Sequence, residues 1–169
     1  MLLTLRLIHV LAGVFWAGAA VFTAAFLIPT IRAVGPAGGP VMRHIAQVRK
    51  LPVFILSAGI LTVISGVGLY SISSGGFTNS WMRSGAGITF GIGGLLGILA
   101  MLIGIFFAMP MARRAAALAA AMGASGGKPS ADQAAEMQRL QGRMAKASAL
   151  GAVLIVGATS AMAIARYIP

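Results

Sequence analysis

The stretch from Leu7 to Ile28, LIHVLAGVFWAGAAVFTAAFLI, decides what kind of protein this is. It runs for 22 residues without Asp, Glu, Lys or Arg. At 1.5 Å rise per residue, roughly 20 apolar residues cross a hydrocarbon core about 30 Å thick. One titratable group, His9, interrupts the run. An ionisable side chain inside a membrane helix is costly to keep there, so it marks a candidate functional site by default.

The remainder of the chain agrees with a membrane setting. Hydrophobic residues make up 59% and charged residues 9% of the 169, against roughly 45–50% and 25% in soluble domains. A water-soluble core cannot hide that much apolar surface. Four apolar runs, about residues 5–29, 51–72, 85–111 and 147–166, use up the length as one domain, an all-α integral membrane four-helix bundle. The absence of Cys excludes disulfides, thiolate metal sites and cysteine nucleophiles. A net charge of +11 would suggest nucleic acid in a soluble protein. In a multi-pass protein the first role of Lys and Arg is to set topology, so no nucleic-acid partner is expected.

The first and third connections hold Arg32, Arg43, Arg49, Lys50, Arg113, Arg114, Lys128, Arg139, Arg143 and Lys146, ten cations. The other face has three, Arg6, Arg83 and Arg166. The positive-inside rule then predicts a bacterial inner-membrane protein with both termini on the periplasmic side. Arg6 and the apolar run after it imitate a signal peptide, but the run exceeds a typical signal core and is expected to be retained as a span.

In chain order, the first span is expected to end at Pro29, and Gly35, Pro36, Gly38, Gly39 and Pro40 mark a loop. Val41 to Lys50 suits a short interfacial helix with its cations toward lipid phosphates. Pro52 falls in the first turn of the second span, where a missing N–H costs nothing. Gly75-Gly76 predicts a tight turn, and Trp81 an anchor at headgroup level. The Ala-rich run from Ala115 to Ala121 extends the third helix to about Met122, before a break at GASGGKP. Ser130 and Gln133 have capping-box spacing, with Asp132 and Glu136 in the first turns of a new helix. The third and fourth helices are thus expected to form a cytoplasmic hairpin over about 112–146.

Helices in lipid associate through close approach of small residues. Gly87 and Gly91, Gly93 and Gly97, and Ala100 and Gly104 are four apart, as are Ala58, Thr62 and Gly66 in the second span and Gly157 and Ala161 in the fourth. Glycine on several faces makes the third helix the expected centre of the bundle. The same small faces suit homo-oligomer contacts or other membrane subunits.

Few groups carry chemistry. His9, Gly13 and Trp16 share one helix face, on which an imidazole, a gap and an indole are consistent with a haem b site and iron ligation by His9. The alternative is that His9 bonds a neighbouring helix. His44 is the only other histidine and is expected near the opposite membrane face, too far to share a metal within one chain. A second axial ligand would then be a methionine such as Met82 or Met162, or come from another subunit. Met109 and Met111, in MPM, are the nearest thing to a copper motif, since thioethers favour Cu(I). Asp132 and Glu136, the only acids, lie outside the spans, and no phosphate loop, nucleophile elbow or zinc spacing occurs.

With LRLIHVLAGVFWAGAAVFTAAFLIP and MRHIAQVRKLPVFILSAGILTVISGVGLY in view, about half the chain resembles a superfamily of small four-span membrane proteins. This superfamily includes copper-resistance protein D-like domains and the haem-binding four-span protoporphyrinogen oxidases. His9, Trp16, Gly18 and Pro29 carry the resemblance. The oxidase-type relatives have a lysine soon after the Trp that opens the third span, and further histidines. Here WMRSGAGITFG offers Arg83 and none, so the haem-ligand role carries over only to His9. The expected function is a non-catalytic accessory or assembly subunit packing against larger membrane partners. Haem b-binding redox activity through His9 stands second and copper handling third.

Overall fold

In lipid every backbone polar group must be satisfied within its own segment, so apolar runs of this length become helices. The computed structural model, which describes residues 1–124 and 129–169, is all-helical, with four helices long and apolar enough to cross a membrane. They are Leu2–Ala33, Leu51–Ser73, Gly85–Ala124 and Ala131–Tyr167, called here the first to fourth helices. At 1.5 Å per residue the second is about 35 Å long, close to a hydrocarbon core, while the third and fourth reach roughly 55–60 Å. Their surplus pairs as the expected helical hairpin beyond the core. The fourth helix starts at Ser130, whose Oγ accepts from Gln133 N while Gln133 Oε1 accepts from Ser130 N, as the capping-box spacing predicts. Within the expected break, residues 125–128 lie outside the described residues.

Of two prolines inside helices, Pro29 departs from expectation and Pro110 agrees with it. The first helix does not end at Pro29 but continues to Ala33, and the third passes through Pro110. A proline inside a helix lacks an N–H, and its ring crowds the carbonyl four residues back. Here each is preceded by a wide π turn, Thr23–Leu27 and Gly104–Ala108, closed by Ile28 N–H to Thr23 O and by Met109 N–H to Gly104 O. Each turn takes up the disturbance one residue before the proline, so the helix continues without a break.

The Gly- and Pro-rich stretch 35–40, expected as a loop, is helical as well, and runs into the helix expected from Val41. A single 3-10 turn at Gly35–Ala37 leads into a short helix, Gly38–Arg43, and a further π turn, His44–Val48. A methyl group at Gly38 would fall 2.5 Å from Ile31 O, so glycine lets the short helix fold back onto the end of the first. Lys50, at φ 53°, then reverses the chain into the second helix, with Pro52 in its first turn. At the other end Ser74 is buried and its Oγ accepts from Phe77 N, while Gly75 and Gly76 adopt φ of 61° and 84°. Trp81 packs edge-on to Tyr70 and stacks on Phe90, an aromatic cluster at this end of the bundle.

The four helices form a ring in which each packs on its neighbours in sequence and the fourth returns to the first. Contact is extensive between first and second and between third and fourth, and thinner between second and third and between first and fourth. No helix is central, which corrects the expectation for the third. Its glycines differ in what stands opposite: Gly93 lies against Ala158 O, Ala161 and Met162 of the fourth helix, while methyl groups at Gly97, also buried, and at Gly104 would meet nothing within 4 Å. The interior is filled by Trp16, Ala58, Ala100 and Ile155, whereas Leu3, Val14, Phe22 and Phe106 point outward. Apart from Trp16 and Ile155 the interior is of small residues and large apolar ones face outward, the arrangement lipid favours.

Candidate functional site

The first and second helices run antiparallel, and their partner numbers fall on one side as they rise on the other. Leu5 meets Gly68, His9 meets Gly66, Gly13 meets Thr62 and Trp16 meets Gly59. His9, Gly13 and Trp16 do share a face, as their spacing predicts, and that face is covered by the second helix. Each large side chain rests on a glycine opposite. A methyl group at Gly66 would fall 2.8 Å from His9 Cε1, and one at Gly59 3.0 Å from Trp16 Cε2.

His9 Nδ1 lies 2.8 Å from Thr62 O. A carbonyl oxygen can only accept, so Nδ1 carries the proton and donates, leaving the lone pair on Nε2. Ser65 is buried; its Oγ donates to Leu61 O and lies 3.1 Å from Thr62 O and 3.4 Å from His9 Nδ1. Thr62 Oγ1 in turn donates to Ala58 O at 2.7 Å. His9 Nδ1, Ser65 Oγ and Thr62 Oγ1 are therefore bonded to backbone of the second helix, as an apolar medium favours.

The haem-face expectation rested on an open gap at Gly13. Thr62 fills it, with Cγ2 3.5 Å from where a Gly13 methyl would stand. A flat macrocycle does not fit on this face while the two helices remain in contact. The companion ligands are also elsewhere: Met162 Cε packs over Gly93 in the seam between third and fourth helices, and Met82 lies at the start of the third, beside Gly87. His44 is exposed at the far end of the first helix, beside Pro40, Arg43, Gln47 and Val48. Met109 Sδ accepts from Arg113 Nη2 at 3.6 Å. Among the described residues no three His, Cys, Asp or Glu side chains gather as a metal site.

Ser65 and Gly59 were not singled out from the sequence. Thr62 and Gly66 were, as members of a small-residue series, though not as the partners of His9. The available signal was the spacing of Gly59, Thr62 and Gly66, which puts a notch, a hydroxyl and a second notch on one helix face. No family model matches the chain, and no curated protein or solved structure matches it.

Proposed function

We propose that this protein is a non-catalytic accessory or assembly subunit that packs against other membrane chains. The proposal places it in a bacterial inner membrane, both termini periplasmic and the hairpin cytoplasmic. The observation that carries the reading is the employment of His9: the one histidine within the apolar runs bonds Thr62 O and rests on Gly66. The ten-to-three cation asymmetry supports the orientation. The outward apolar faces and the protruding hairpin are what such a subunit offers its partners. Shape, rather than reactive groups, is its resource.

The competing reading is haem b binding, favoured by the His9 Nε2 lone pair, which has no protein partner among the described residues, and by the resemblance carried by His9 and Trp16. Native purification in mild detergent separates the two. The subunit reading expects a colourless preparation in which companion membrane chains appear in fixed ratio. A Soret band lost in His9→Ala overturns it.

A further inference from the structure

The first helix has a second, looser contact, with the fourth helix, and there the two diverge into a groove of about 350 Å³. Val21, Ala24 and Ala25 form one wall and Ala149, Ala152 and Val156 form much of the other. The walls are apolar and small, and Ala25, Ala149 and Val156 are exposed, so the groove opens outward. Ala149 to Val156 covers about 10 Å of helix. One leaflet supplies about 15 Å of a ~30 Å core, so the groove occupies most of the leaflet on the hairpin side.

Beyond the hairpin-side end of the groove, about 10 Å along the first helix from Ala25, stands a cation. The Arg32 guanidinium reaches across from the first helix and donates to Gln141 O on the fourth. Lys146 stands three residues before Ala149, also exposed. The chain's only acids are Asp132 and Glu136, further toward the start of the fourth helix, and Glu136 pairs with Arg139 at 3.4 Å. An apolar trough of leaflet depth with a guanidinium and an ammonium beyond its end complements one kind of molecule, an acyl chain carrying a phosphate.

We propose that the groove between the first and fourth helices seats an anionic phospholipid, with an acyl chain along Ala25, Ala149 and Ala152 and the headgroup phosphate at Arg32 and Lys146. The guanidinium stays bonded to Gln141 O through one N–H and presents the others to the phosphate. The lipid closes one of the two thinner seams of the ring, and it does so independently of the subunit reading above.

The test uses the purified full chain in neutral detergent, mixed with equal amounts of phosphatidylglycerol and phosphatidylcholine of matched acyl chains. Retained lipid is counted by native mass spectrometry. Phosphatidylglycerol is expected to be retained about five-fold over phosphatidylcholine, roughly the factor that one basic side chain near an anionic headgroup supplies. Arg32→Gln is expected to lower the preference, abolished when Lys146→Gln is added, and Arg32→Lys to keep most of it. Ala149→Leu, at a lipid-exposed position that leaves the fold intact, is expected to lower retention of both lipids. Equal retention of the two by the unaltered protein overturns the proposal. So does a preference untouched by Arg32→Gln, or one that inorganic phosphate removes while Ala149→Leu leaves it unchanged. A protein dimer that Ala149→Leu dissociates overturns it in favour of a second copy in the groove.

Discussion

The first helix meets its two neighbours in opposite ways. Toward the second helix it presents His9, Gly13 and Trp16, each received by Gly66, Thr62 and Gly59, and the seam is closed by the bond from His9 Nδ1 to Thr62 O. Toward the fourth it presents Val21, Ala24 and Ala25 to Ala149 and Ala152, small against small, and the seam stays open. Both faces are rich in small residues, so smallness alone does not close a helix pair in lipid. Closure comes where a bulky ring on one helix meets a glycine on the other. Alanine facing alanine leaves a trough for something else.

Substitutions on the two seams should therefore differ in size. Trp16→Ala should have the largest effect, about 3 kcal/mol of stability lost in a denaturation series in bicelles, because it empties the core that Ala58, Ala100 and Ile155 surround. A loss no greater than that of an outward-facing residue such as Val14 would mean that the closed seam is not closed by its rings. Gly66→Ala should follow at about 2 kcal/mol, since the methyl meets a ring already held by its bond to Thr62 O. An unaffected protein would show that the imidazole is free to swing away.

A smaller contrast lies one helical turn apart on the third helix. Gly93→Ala should cost about 1 kcal/mol, because its methyl would stand 3.2 Å from Ala158 O, a backbone atom. Gly97→Ala has open space and should gain about 0.5 kcal/mol from helix propensity. Equal effects at the two positions would mean that the close approach of the fourth helix is not confined to Gly93. Ala149→Leu, exposed on the open seam, should change stability by less than about 0.5 kcal/mol, because the added carbons enter the trough.

Much of this architecture was legible in one dimension. Four spans, the hairpin, the Ser130–Gln133 capping box and the singularity of His9 follow from run length, cap spacing and the cost of an ionisable group in hydrocarbon, all local properties. The path through Pro29 was not legible, because a proline reads locally as a helix end, and a π turn before it keeps the helix continuous. Nor was the ring arrangement, since the third helix carries glycine on several faces and only its neighbours distinguish Gly93 from Gly97.

The same limit applied to the candidate site. The sequence by itself determined that His9, Gly13 and Trp16 lie on one face of a membrane helix. Only the tertiary structure decided that this face meets the second helix, with Thr62 in the gap. A soluble helix announces its inner face by the contrast between apolar and polar sides. These spans are apolar all round, so that contrast vanishes, and the choice of partner is left to the fit of rings into notches.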